Sequence, residues 1–259
     1  MSEIASEERA PLFSQPPLPV FSRCALLLDV DGTLLEFRDD PEDVRADPAL
    51  VRLLSRIRIR LGGALALVSG RPLSDLDRMF RPMRFCASGT HGAELRIGDE
   101  HWSTEAPTLP DAARSALRRL AGLHPDWRLE EKPHGIALHY RRAPATGAYC
   151  RRQMERVAAH LGDTFRVQTG HCVVEITPTD HDKGRAIGAL MQHPIFAGRE
   201  ALYLGDDACD EAGFEAVNAL GGVSVRVGHD PLTTSARYRL PDPRAVRRWL
   251  QALAGQRNG

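Results

Sequence analysis

Leu26-Leu27-Leu28-Asp29-Val30-Asp31-Gly32-Thr33-Leu34 is an apolar run that stops at two acids, a glycine and a hydroxyl residue. The run does not alternate, which predicts a strand buried on both faces, as in parallel sheets. Gly32 breaks it and leaves the acids at or just past the strand's C-terminal end. That is the edge where open α/β sheets place their ligands. A period of two turns Asp29 and Asp31 to one side. Carboxylates so placed repel and call for a cation or a shared proton. A surface turn that happens to be acidic is the plain alternative, and this stretch alone does not separate the two.

Three more stretches share the pattern of a buried strand with a polar tip. Ala64 to Val68 is apolar and ends in Ser69-Gly70-Arg71, a hydroxyl beside a guanidinium that suits an oxyanion. Arg84 to Ala87 ends in Ser88-Gly89-Thr90-His91-Gly92-Ala93-Glu94, where the glycines imply close backbone approach. Ala201 to Leu204 ends in Gly205-Asp206-Asp207-Ala208-Cys209-Asp210-Glu211, four acids within six residues, a pattern that suits a divalent cation. Helices are expected between them. Asp47 caps one with Pro48 at its first position, Ser74 caps one reaching about Phe80, and Asp242-Pro243 opens the last. A hairpin is expected to turn at Gly98-Asp99. Lys183 begins a helix, where the macrodipole disfavours a cation unless an anion lies in front of it.

Between about Pro107 and Pro178 the pattern changes to helix, strand, strand, helix, strand, strand. Helices are expected over Asp111 to Leu123 and from Pro144. Strands are expected over Trp127 to Lys132, Gly135 to Tyr140, Thr164 to Gln168 and His171 to Thr177. These strands alternate, so one face packs on the helices and the other is open. Lys132, His139, Arg141 and Glu175 fall on the open face, long donors and acceptors suited to sugar hydroxyls.

Composition excludes several classes. Lys plus Arg and Asp plus Glu both total 34, so no net field draws nucleic acid or a membrane surface. No apolar run nears the roughly 18 residues that span a bilayer, and the acidic start (Glu3, Glu7, Glu8) does not read as a secretory signal. The five cysteines form no CxxC pair, which points to reduced thiols in the cytoplasm. Oligomeric state is not readable.

Three of these tips, together with Lys183, resemble in this order the haloacid-dehalogenase superfamily of phosphotransferases. Asp29-Val30-Asp31-Gly32-Thr33, Ser69, Lys183 and Gly205-Asp206-Asp207-Ala208-Cys209-Asp210 match its four motifs. Within it, the chain is similar to the trehalose-6-phosphate phosphatases through Gly89-Thr90-His91-Gly92-Ala93-Glu94, Ala137-Leu138-His139-Tyr140-Arg141 and Cys172-Val173-Val174-Glu175-Ile176. Cys209 stands where that family commonly has threonine, and Thr177 where it commonly has a basic residue. The resemblance implies an α/β fold: a doubly wound, mostly parallel Rossmannoid core with an inserted α/β cap domain. The expected layout is a flexible tail over 1–22, a catalytic core over 23–107 and 179–259, and a cap over 108–178.

The resemblance also implies Mg2+-dependent hydrolysis of a small sugar phosphate, trehalose 6-phosphate, to trehalose and phosphate through an aspartyl-phosphate. Asp29 is the expected nucleophile and Asp31 the acid and base. Ser69 and Lys183 hold the phosphoryl oxygens. Asp29, Asp31 (through its main-chain carbonyl), Asp206 and Asp207 are the expected metal residues, with Asp210 behind them. Expected substrate contacts are Gly70, Arg71, His91, Gly92 and Glu94 from the core, and Lys132, His139, Arg141 and Glu175 from the cap. A sucrose-phosphate phosphatase or a phosphomannomutase would share this core. A sugar-phosphate sensor without turnover would have no need of Asp29, Asp31, Lys183 and Asp206 together.

Overall fold

The computed structural model describes residues 15–103, 106–229 and 233–256. Strand β1 (Cys24–Leu28) is buried along its whole length, as its unbroken apolar sequence requires. Asp47 caps α1 (Pro48–Arg60) by accepting from the Leu50 N–H at 2.9 Å. There follow β2 (Leu65–Val68), α2 (Leu73–Met79), β3 (Cys86–Gly89), β4 (Glu94–Ile97) and β5 (Glu100–Ser103). The inserted segment holds α3 (Asp111–Ala121), β6 (Arg128–Glu131), β7 (Ile136–His139), α4 (Gly147–Ala158), β8 (Phe165–Gly170) and β9 (Val173–Pro178). The chain then returns as α5 (Lys183–Gln192), β10 (Glu200–Gly205), α6 (Glu211–Ala219), β11 (Val223–Val227), β12 (Tyr238–Leu240) and α7 (Pro243–Gly255).

The main sheet has the order β12-β11-β10-β1-β2-β3-β4-β5. It is parallel from β12 to β3, and the β4–β5 hairpin adds an antiparallel edge. Connections leave β1 in one direction toward β2 and return on its other side at β10. The strand order therefore reverses between β1 and β10, which opens a crevice at their C-terminal ends. The register sets Leu28 opposite both Leu204 and Leu67. The ends of β1, β10 and β2 are thus level, and Asp29, Asp206 and Ser69 emerge side by side.

The insertion forms its own sheet, β6-β7-β9-β8, all antiparallel. Its apolar cluster around Leu117, Leu138, Met154 and Ile176 shares no residue with the core of the main sheet. One face of this cap packs on α3 and α4. The other lies over the strand tips of the main sheet, and there Lys132 and Glu175 are only 7% and 8% exposed. The face read from sequence as open is therefore covered, because the strand tips, and not solvent, lie beneath it.

Other expectations shift locally. Helix α2 starts at Leu73, not with Ser74 as its cap; the Leu73 N–H is satisfied by the Glu94 carboxylate at 3.2 Å, a partner remote in sequence. Strand β3 runs on through Ser88-Gly89, because β4 pairs with it there. Pro144 opens a 3-10 turn, and α4 proper begins at Gly147. Of the tail, residues 1–14 lie outside the described residues. Pro16 accepts from the Trp249 indole N–H at 3.1 Å, and Phe21 lies under the Arg60 guanidinium. The three-residue strand β12 carries no sequence signal of its own. All five cysteines are free. Among the described residues no helix is long and apolar enough to cross a membrane.

Helices α5 and α6 approach closely at Gly184, where an added Cβ would sit 2.5 Å from the Ala212 carbonyl oxygen. Gly184→Ala should cost about 1–3 kcal/mol by overpacking, read as a lower urea midpoint. An unchanged midpoint would show that α5 can shift freely, and with it Lys183.

Candidate active site

Asp182 caps α5 by accepting from the Arg185 N–H at 2.8 Å, which fixes the helix start and aims Lys183 into the crevice. Lys183 is 2% exposed and donates to Asp29 Oδ1 at 2.7 Å and to Asp210 Oδ1 at 2.6 Å. These two carboxylates are the anions that the odd position of Lys183 calls for. Asp210 is held on every side. Its Oδ2 accepts from the Asp206 and Asp207 N–H groups, both at 2.9 Å, and its Oδ1 also accepts from the Tyr203 hydroxyl. Asp210 therefore braces the 205–210 loop and Lys183 from below.

Oxygens of Asp29, Asp206 and Asp210 lie within 4.8 Å of one another. With all three ionised, the carboxylates outnumber the one ammonium and leave two negative charges without a counter-charge. Burial raises the Asp29 carboxyl against the pull of Lys183, with Asp210 adding to the rise, up to about 7. Burial, then the Asp29 and Asp210 charges, push Asp206 well above the carboxylate range. Asp210 goes the other way, because Lys183 and its hydrogen bonds outweigh burial. An excess of two charges among hard oxygen donors fits a divalent cation such as Mg2+.

Groups with raised folded pKa values hold protons that the unfolded chain has released, so without metal their contribution declines as pH rises through the window between the ordinary carboxylate value and about 7. A cation competes with those protons. The rise in Tm on adding Mg2+ should therefore be larger at about pH 8 than at about pH 5.5. Equal rises at both pH values would contradict this charge assignment.

Asp31 does not share that cluster. Strand β1 ends at Leu28, so the strand period has lapsed by Asp31. Arg71 grips its carboxylate in two-pronged fashion, Nε to Oδ2 at 2.6 Å and Nη2 to Oδ1 at 2.8 Å. Ser69 Oγ accepts from the Arg71 N–H at 3.2 Å, which ties the β2 tip into a turn facing Asp29. Gly70 has no Cβ because His91 Nε2 would lie 2.5 Å from one. Thr90 and His91 hold left-handed φ angles of 48° and 53°, and Glu94 steadies them by accepting from Thr90 Oγ1 at 2.7 Å. Such strain in non-glycine residues marks functional turns.

That turn delivers His91 to the cap. His91 Nε2 meets Glu175 Oε2 at 2.7 Å, and Lys132 bonds Glu175 Oε1. Burial alone would raise Glu175, but Lys132 and His91 hold its carboxyl far below the usual range. Glu130 is likewise held at about 2, because Lys132 and its 2.8 Å partner His139 outweigh burial. The cap closes on the core at further points. Arg128 pairs with Asp40 and Glu42, each at 2.8 Å, and Arg141 reaches the Arg38 carbonyl at 3.2 Å.

One cavity of ≈ 130 Å³ joins the two halves. Asp29, Asp31, Ser69, Gly70, Arg71, His91, Lys183, Asp206 and Asp207 line it from the core, and Lys132, His139, Arg141 and Glu175 from the cap. Glu94 and Gly92 do not line it. Glu94 supports the Thr90–His91 turn, and Gly92 packs against the Asp182 carbonyl. The Asp207 carboxylate turns away from the Asp29–Asp206–Asp210 cluster, accepting from Ala208 and His171 N–H groups. Sequence reasoning passed over Glu130, Phe37, Gln168 and His171, which also line the cavity. Glu130 was legible, since it alternates with Lys132. Tyr203, the brace of Asp210, had a signal too: a tyrosine in a buried strand needs a partner for its hydroxyl.

An acidic cluster at the switch point of a parallel sheet, closed over by an inserted α/β lid, defines the capped phosphatase fold of the haloacid-dehalogenase type. The same fold is seen in a phosphatase of that superfamily from Bacteroides thetaiotaomicron, with a TM-score of 0.61 at 15% identity over 93% of this chain and 98% of the other. The trehalose-phosphatase family model matches residues 27–244, and the chain belongs to that family of phosphoric monoester hydrolases. A probable trehalose-phosphate phosphatase of Sinorhizobium fredii is 39% identical over 233 residues, 89% of this chain and 87% of that protein. The trehalose-6-phosphate phosphatase of Escherichia coli is 38% identical over 247 residues, 94% of this chain and 90% of that protein. The C-terminal domain of the C. albicans trehalose-6-phosphate phosphatase superposes with a TM-score of 0.78 at 25% identity, over 90% of this chain and 93% of that one.

Proposed function

We propose that the chain hydrolyses trehalose 6-phosphate to trehalose and phosphate in the cytoplasm, with Mg2+ as its cofactor and residues 108–178 as its cap. The observation that carries this reading is the cavity in which Asp29 and Lys183 of the core face Lys132 and Glu175 of the cap. Asp29 and Asp206, with the Asp31 main-chain carbonyl, would hold the cation, and Asp207 and Asp210 would orient their loop. When bound, the cation would screen the carboxylates from the phosphate dianion and polarise the phosphoryl oxygens.

Each residue then has a task. Asp29 attacks phosphorus, forming an aspartyl-phosphate as the bond to the sugar oxygen breaks. Asp31 in its protonated form gives that oxygen a proton; as the carboxylate that Arg71 pairs with, it then takes one from the water that attacks the aspartyl-phosphate, which breaks the bond to Asp29 and frees phosphate. Lys183 and Ser69 hold the phosphoryl oxygens where charge develops. Trehalose offers many hydroxyls and little apolar surface. Glu175, Lys132, His139, Arg141 and His91 match it with hydrogen-bond donors and acceptors, and the cap excludes bulk water.

The test is phosphate release from trehalose 6-phosphate, glucose 6-phosphate and sucrose 6-phosphate, with and without EDTA. Trehalose 6-phosphate should be preferred by about 100-fold or more in kcat/KM, and EDTA should abolish turnover of all three. Equal use of glucose 6-phosphate would remove the disaccharide from the reading. Full activity in EDTA would remove the metal.

A further inference from the structure

His171 stands at the tip of the β8–β9 hairpin and touches both loops that flank Asp206. Its N–H donates to Asp207 Oδ2 at 2.9 Å, while Asp207 Oδ1 accepts from the Ala208 N–H at 2.7 Å. Its ring stacks on Phe37 with centroids 5.0 Å apart. The Arg141 guanidinium covers the Phe37 ring 4.4 Å from its centroid, and Arg141 Nη2 donates to the His171 carbonyl at 3.1 Å. Phe37 in turn packs on Gly32, whose bare Cα abuts the Asp206 carboxylate. Two physical routes therefore join one cap residue to one core carboxylate: His171 through Asp207, and His171 through Phe37 and Gly32. Gly170 permits the first, since a Cβ there would lie 2.6 Å from Asp207 Oδ2.

The cap must also move. The cavity of ≈ 130 Å³ between cap and core is smaller than the roughly 300–1,000 Å³ of ordinary ligand sites. Entry of a disaccharide phosphate requires the cap to lift, and lifting breaks both routes at once.

We propose that His171 couples cap closure to the cation site, so that sugar bound beneath the cap and a divalent cation at Asp29 and Asp206 tighten one another's binding. The proposal rests on the metal and sugar assignments above. Asp210 fixes the 205–210 loop through contacts made within the core alone. Arg226 also donates to the Asp207 carbonyl at 3.1 Å, and the docked hairpin tip adds the cap's hold on the Asp207 carboxylate. A sugar that favours the closed cap therefore pre-orders Asp206, and linkage makes the effect reciprocal.

The experiment is calorimetric titration of Mn2+ into the full chain, with and without saturating trehalose. Trehalose carries no phosphate, so any coupling passes through the protein. Mn2+ should bind at least about fivefold more tightly with trehalose present, the lower end of ordinary coupling between sites. In Gly170→Ala, and independently in Phe37→Ala, that ratio should fall toward one. Equal Mn2+ affinity with and without trehalose, where trehalose is shown to bind, overturns the coupling and leaves the functional reading standing. A ratio unaltered in both variants overturns the role of His171. If Mn2+ or trehalose does not bind at all, the functional reading fails and the coupling fails with it.

Discussion

Asp29→Asn should lower kcat for phosphate release by about 10⁴-fold or more, the scale seen when a covalent nucleophile is removed. The same change should leave the metal-free protein at least as stable as its parent at neutral pH. Asn keeps the shape of Asp and accepts from Lys183 through its amide oxygen, and Asp210 still holds Lys183 at 2.6 Å. What disappears is a buried carboxylate whose ionisation burial opposes. Loss of turnover with unchanged or higher Tm is the signature of a group kept for chemistry at the expense of stability. Activity within tenfold of the parent would show that Asp29 is not the nucleophile. Loss of folding would show that it is structural.

Glu175→Ala should reduce kcat/KM for trehalose 6-phosphate by about 10²–10³-fold, mostly through KM, and leave hydrolysis of p-nitrophenyl phosphate within about threefold. Glu175 joins two partners from different domains, His91 of the core and Lys132 of the cap, in a buried setting. Removing it leaves the Lys132 ammonium with Glu130 as its remaining nearby carboxylate, and truncating one partner of a buried charge pair costs several kcal/mol. A small aryl ester makes no demand on that face, so its turnover depends on the core cluster alone. Equal losses on both substrates would show that Glu175 serves the cap's closure or the chemistry, not the sugar.

How much of this was legible in the sequence follows from the range of the interactions. Strands β1, β2 and β10 were legible because burial on both faces leaves an unbroken apolar run, and the acids at their ends stand out against it. The sharing of space by Asp29, Asp206 and Asp210 follows once those strands are made parallel neighbours. The cap's alternating strands were legible too, yet alternation reports only that two faces differ. It does not say that the polar face of Lys132 and Glu175 meets another domain. The start of α2 was misread because its first N–H is satisfied by Glu94, which lies 21 residues away. The separation of Asp31 from Asp29 depends on where β1 stops and on Arg71, and neither is a periodic signal. Phe37 and His171 sit in loops, where no period operates, and only their stacking across the cap–core boundary sets them apart.

In the proposed function, acids from the ends of two adjacent parallel strands hold one divalent cation. Anomalous diffraction from crystals soaked in Mn2+ tests it most directly. A single strong peak within coordination distance of the carboxylates of both Asp29 and Asp206 is the expected result. A peak elsewhere in an active, metal-dependent protein, or one bound by Asp207 without Asp29, would contradict it.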